Sequence, residues 1–189
     1  MNSSTLCSML VTLCLILIVQ SPLPTKGRRS HVHHRVLGAG PDLIDKVCNE
    51  TIEDYTLCQK VLRRDSEIVH AKNFTELSQA ILKLGLKKGL EGKIYLKGLA
   101  KEEHVPAIEK CATSDYDGVI RAFSYSLGEM KNDLSAANYD ARIAGDGADN
   151  CDKALVAAHI HNPKIVNLNC VISMLSFMAF SAMEKIGKQ

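Results

Sequence analysis

Three segments in the second half of the chain repeat apolar residues at intervals of three and four. The first stripe is Ile108, Ala112, Tyr116, Val119, Phe123, Leu127 and Met130. The second is Ala137, Ala141, Ala144, Ala148, Cys151, Leu155 and Ala158, and the third is Ile165, Leu168, Ile172, Leu175, Ala179, Ala182 and Ile186. Spacing of this kind gathers each set on one helix face, and alternation of three and four suits the near-antiparallel packing of a bundle. The connections near Asn132 and at Asn162-Pro163 are short, so successive helices are expected to run antiparallel.

A fourth helix is predicted from a Thr75 cap to about Lys101, with Leu77, Ile81, Leu84 and Leu99 inward. It carries Gly85, Gly89, Gly92 and Gly98, each of which costs about 1 kcal/mol against Ala in a helix interior. Close approach of neighbouring helices is the reading that reconciles them with a helix. Residues 42–63 read as shorter helical pieces with Leu43, Val47, Tyr55 and Leu62 as their apolar positions. Val171 to Met183 is strongly apolar, but it is too short to span a bilayer and runs into the polar tail Glu184 to Gln189. It is expected to be the buried last helix of the bundle. The fold class is therefore all-α, a bundle of helices with antiparallel neighbours.

The N-terminus changes the compartment. Leu6 to Val19 is an apolar run with a Pro-containing exit, which reads as a secretory signal over residues 1–27. Residues 28–40, with His31, His33 and His34, read as a flexible mature tail, and 41–187 as the folded domain. Cys7 and Cys14 fall inside the signal, leaving Cys48, Cys58, Cys111, Cys151 and Cys170. In a secreted chain four should pair and one is left over. With the hairpin turn at Asn132, Cys111 lies 21 residues before it and Cys151 lies 19 after it. Both then sit roughly 30 Å from the turn, level on two antiparallel helices. Cys48 and Cys58 are close enough to bridge locally, so Cys170 is expected to be the free thiol. Asn49-Glu50-Thr51 and Asn73-Phe74-Thr75 are N-glycosylation sequons. Asn73 is expected to be the more accessible, because Asn49 adjoins a bridged cysteine.

Charge and composition then exclude function classes. The 189 residues carry a formal net charge of +2, with no Trp and four Phe. Neither the basic stripe nor the aromatic platform of a nucleic-acid binder is evident. No nucleophile elbow, zincin motif, P-loop or dinucleotide fingerprint occurs, so no catalytic residue, metal site or cofactor is assigned. Asp146, Asp149 and Asp152 read as a solvated acidic face, and His159 and His161 do not share a helix face.

One constellation is more specific. Cys48, Thr51, Tyr55, Cys58 and Leu62, then Cys111, Tyr116 and Ala122, then Ser135-Ala136-Ala137 and Cys151-Asp152 resemble the plant invertase and pectin methylesterase inhibitor family over about residues 42–187. The resemblance implies an all-α fold, an up-and-down four-helix bundle with an N-terminal helical hairpin. It also implies disulfides joining first to second and third to fourth cysteine, with a leftover fifth. The implied role is non-catalytic: stoichiometric inhibition of pectin methylesterase or acid invertase in the wall or the vacuole, by a protein that is monomeric when free and leaves the membrane on signal cleavage. The family's invertase inhibitors carry Pro-Lys-Phe before the last helix, and Pro163-Lys164-Ile165 stands there in this chain. Those three residues are the candidate invertase contacts. The face of helices 105–131 and 135–160 is the candidate contact for pectin methylesterase. After Cys151 the run Asp152-Lys153-Ala154-Leu155 lacks the aromatic that the family often shows there. A secreted helical ligand-binding or signalling module with no enzyme target is the competing class.

Overall fold

A computed structural model of the chain describes residues 42–51 and 55–188. The signal segment and the tail with His31, His33 and His34 lie outside these residues. Three short helices, α1 (Leu43–Cys48), α2 (Tyr55–Leu62) and α3 (Ser66–Val69), precede the long α4 (Phe74–Glu103). Then come α5 (Pro106–Lys110), a π-helical turn (Cys111–Asp115), α6 (Tyr116–Glu129), α7 (Leu134–Ala157) and α8 (Pro163–Met183). The helix α4 packs on α6 and α8, and α7 packs on the same two from the opposite side, closing an up-and-down bundle. The N-terminal hairpin α1–α2 rests on α8 through α1.

The predicted stripes become the core. Ala137, Ala141, Ala144, Ala148 and Cys151 are completely buried, as are Ile165, Ile172, Leu175, Ala179 and Ala182. Ala158 and Tyr55 are corrections. Ala158 follows the last residue of α7 and is exposed. Tyr55 is 40 % exposed and its hydroxyl donates to Asp45 Oδ1 at 3.2 Å.

The π turn explains an irregularity in the first stripe. Two successive steps of four, Ile108 to Ala112 to Tyr116, would drift about 80° round a 3.6-residue helix. The wider turn over Cys111–Asp115 absorbs that drift, and all three side chains are buried.

The long helix starts one turn-edge earlier than its sequence suggests. Asn73, not Thr75, is the cap: its Oδ1 accepts from Glu76 N at 2.9 Å. Its glycines admit neighbouring rings and helices. A Cβ on Gly85 would stand 2.5 Å from the Phe123 ring, and one on Gly92 2.5 Å from the Tyr116 ring. Only at Gly98 does nothing approach within 4 Å. The helix ends where His104 enters the left-handed region at φ 52°.

The last helix, α8, has 21 residues, so length no longer argues against a membrane span. Burial does: Ile165, Asn169, Ile172, Leu175, Met178 and Ala182 all point into the bundle.

Candidate functional site

The hairpin of α6 and α7 is closely packed and cross-linked at the end away from its turn. Cys111 and Cys151 are bridged with a Cα–Cα distance of 4.9 Å. Beside the bridge, α7 presses onto the π turn at Gly147, where a Cβ would lie 2.3 Å from the Asp115 carbonyl oxygen. Asp115 itself is buried, and Lys110 Nζ donates to both of its carboxylate oxygens at 2.6 and 2.8 Å. Nearer the turn, Ser126 Oγ donates to the Ala137 carbonyl at 2.7 Å, and Asp133 caps α7 by accepting from Ala136 N.

The opposite side of α7 is tied to α8 by polar side chains that lie outside the apolar stripes. Ser176 Oγ donates to the Ala141 carbonyl at 2.7 Å and accepts from Gly145 N at 3.0 Å. Tyr116, fully buried, donates its hydroxyl to Asn169 Oδ1 at 2.6 Å, and Asn169 Nδ2 donates to Asp152 Oδ1 at 2.6 Å. Burial pushes the Asp152 carboxyl up to about 6; Asn169 opposes the shift and Asp149 adds to it. The Tyr116 phenol is raised as well, by burial and then by Asp152. Asp149 accepts from Ser173 Oγ at 3.2 Å. The expected solvated face is thus corrected: two of its three carboxylates bind α8, and only Asp146 faces outward. Among the described residues no three His, Cys, Asp or Glu side chains converge as a metal ion would require.

On the outer face of the hairpin a shallow groove of about 380 Å³ follows the α6–α7 seam. Arg121, Tyr125, Asp140, Asp146 and Asn150 line it. Tyr125 is 58 % exposed, and Tyr139 on the neighbouring turn of α7 is 63 % exposed. A rigid, cross-linked surface with exposed tyrosines, both charge signs and amides can bind a protein without reordering, which lowers the cost of association.

The structure places the other predicted site residues as follows. Cys48 and Cys58 are bridged, with Cα atoms 5.7 Å apart. Cys170 is half-buried on the flank of α8. Pro163, Lys164 and Ile165 do not form a presented loop. Asn162 caps α8 by accepting from Lys164 N and Ile165 N, Pro163 takes the first helical position, and Ile165 is fully buried. Asn-Pro is a helix start here because the cap supplies the missing acceptor and Pro needs no amide partner. Lys164 is exposed, with its Nζ 3.8 Å above the Tyr95 ring. The two sequons exchange roles. Asn49 is exposed, while Asn73 is half-buried with Nδ2 donating to Glu76 Oε1 at 3.1 Å.

Compared with known proteins, residues 42–179 match the sequence profile of the plant invertase/pectin methylesterase inhibitor family. No curated protein matches the chain in sequence. A solved mutant form of a pectin methylesterase inhibitor from Arabidopsis superposes with a TM-score of 0.67 at 18 % identity, covering 76 % of this chain and 97 % of that one. A second pectin methylesterase inhibitor, from Arabidopsis thaliana, gives a TM-score of 0.57 at 18 % identity, covering 77 % and 97 %. At that identity the likeness establishes the fold.

Proposed function

The chain belongs to the plant invertase/pectin methylesterase inhibitor family, and on that premise we propose that it is a secreted, non-catalytic inhibitor of pectin methylesterase that docks stoichiometrically through the α6–α7 face. The observation that carries the choice of target is the contrast between two surfaces. The α6–α7 face is cross-linked by Cys111–Cys151 and presents Tyr125 and Tyr139 to solvent. In the Pro163-Lys164-Ile165 segment Ile165 is buried in the core, leaving only Pro163 and Lys164 to reach a partner, and the Lys164 ammonium already lies on the Tyr95 ring. Rigid docking of the tyrosine-bearing face over the cleft would exclude substrate without chemistry on the inhibitor. The protein acts as a monomer in the apoplast or cell wall after loss of residues 1–27, with the vacuole as the other compartment reached by that route.

Acid invertase is the second reading, favoured by the exposed Lys164 ammonium at the start of α8. A ligand-carrying module has less support, because fully buried alanines bring α7 close to its neighbours.

Purified pectin methylesterase and acid invertase, titrated side by side, test the proposal. We expect pectin methylesterase to be inhibited at a one-to-one ratio. Tyr125→Ala should weaken inhibition by about 1–3 kcal/mol, roughly 5- to 150-fold, and Lys164→Ala should leave it unchanged. Inhibition of invertase alone, lost in Lys164→Ala, overturns it.

A further inference from the structure

Away from the docking face, α4 and α8 form a second groove together with the residues that follow α2. Its volume is about 620 Å³, and its cations are Arg64, Lys87, Lys88 and Lys164 against Asp65 and Glu91. Several of these charges are already engaged. Asp65 caps α3, Lys88 pairs with Glu91 at 2.7 Å, and Lys164 lies on Tyr95. Arg64 and Lys87 are exposed and have no anionic partner among the described residues. The positive strip continues along α4. Lys83, Lys87, Lys97 and Lys101 share one exposed side of the helix; Lys83 pairs with Glu67 at 2.7 Å, and Lys87 to Lys101 extend over 14 residue steps, about 21 Å. Lys97 and Lys101 have no ion pair among the described residues, although Lys97 lies close enough to Asp117 to help hold its carboxyl low.

We infer that this groove and the lysine ladder beside it bind a chain of uronate sugars, the carboxylate form of pectin. The occupant follows from charge and from shape. Cations strung over about 21 Å suit an extended polyanion, whose counterions they release on binding. A stable protein interface needs a desolvated apolar centre, and the exposed apolar residues on this side of α4 are only Leu90 and Ile94. The carboxylates have a source if the target reading is right, since hydrolysis of a pectin methyl ester leaves a carboxylate on the sugar. This choice of polymer rests on that reading. An inhibitor so equipped would be retained where the esterase has already acted, with its docking face free.

The test is binding of the secreted full chain to immobilised polygalacturonate, with highly methyl-esterified pectin and polyglutamate as comparison surfaces. We expect binding to polygalacturonate that is lost at high salt, and little binding to esterified pectin. Arg64→Ala/Lys87→Ala should weaken it about tenfold while leaving inhibition of pectin methylesterase intact. Both side chains are exposed, so the variant should keep the wild-type helical signal. Equal binding to esterified pectin, or binding unchanged in the double variant, overturns the inference. Tighter capture by polyglutamate overturns it in favour of an acidic protein segment. Failure to inhibit the esterase with polygalacturonate binding intact would count against the target reading alone.

Discussion

The two long arms of this bundle are opposites in charge and in the way they are fastened. Residues 60–103, which include α4, hold ten Lys and Arg against six Asp and Glu, a net charge of +4. Residues 104–157, which include α6 and α7, hold five against nine, a net charge of −4. The whole-chain value of +2 therefore conceals a strongly polarised molecule. The acidic arm is cross-linked by Cys111–Cys151 and stitched to α8 by hydroxyl and amide side chains. The basic arm has no cross-link within α4; it is seated by glycines that admit the rings of Phe123 and Tyr116. The lesson is a division of labour. A docking surface gains from rigidity set by covalent and hydrogen-bonded ties, whereas a polyanion site needs only cations on flexible stems.

Cutting the ties tests that contrast most severely. Replacing both Cys111 and Cys151 by Ala should lower stability by about 2–5 kcal/mol, read as a shift in the urea midpoint. Replacing Cys48 and Cys58 should cost about 1 kcal/mol less, because the bridged separation is 10 residues rather than 40 and the loop entropy scales with its logarithm. Equal losses would mean that the hairpin bridge acts through native contacts instead of the unfolded chain.

The glycines sharpen the comparison at smaller scale. Gly147→Ala forces a Cβ against the Asp115 backbone carbonyl, which cannot swing aside as a side chain does. A loss of about 1–3 kcal/mol is expected. Gly98→Ala on the basic arm meets open space and should stabilise by about 0.5–1 kcal/mol through helix propensity. Thermal unfolding of the pair, moving in opposite directions, separates packing glycines from a merely permissive one.

These differences mark how far the chain could be read before its structure. Periodicity located the four long helices because burial of one face leaves a repeat that survives without tertiary information. The level placement of Cys111 and Cys151 followed from helix rise alone. Polar ties were invisible for the opposite reason: Asn169, Ser176 and Asp152 look like solvent-facing residues until the neighbouring helix supplies their partners. Asn162-Pro163 illustrates a genuine ambiguity, since a stiff loop and a capped helix start use the same two residues. Asn73 was legible as a sequon and equally legible as a cap, and both roles draw on one amide. The charge polarity lay in plain view in the sequence, but a single net value averaged it away.

The finest test concerns pH, and it sets one carboxylate of the acidic arm against two elsewhere. Burial raises Asp152 to about 6 in the folded chain, against an ordinary value of 3.8. Between those values the folded state holds the proton more often than the unfolded state. The Asp152 contribution is therefore full below about 3.8, declines as pH rises and is lost above about 6. Glu50 and Asp117 act in the opposite sense. Burial pushes Glu50 up, but hydrogen bonds from Lys185 and Ser181 outweigh it and leave the carboxyl low. The Lys93 hydrogen bond lowers Asp117. Those two stabilise above their ordinary values and are lost in acid. Asp152 is partly exposed, so solvent screening should keep its effect below that of Gly98→Ala. Asp152→Asn keeps an oxygen to accept from Asn169 Nδ2 and removes the titration. The difference in stability between variant and wild type should thus change between pH 4 and pH 6 and stay constant from pH 6.5 to 8. A difference that is flat across the lower window would show that folding leaves the Asp152 proton affinity unchanged and that burial does not raise it.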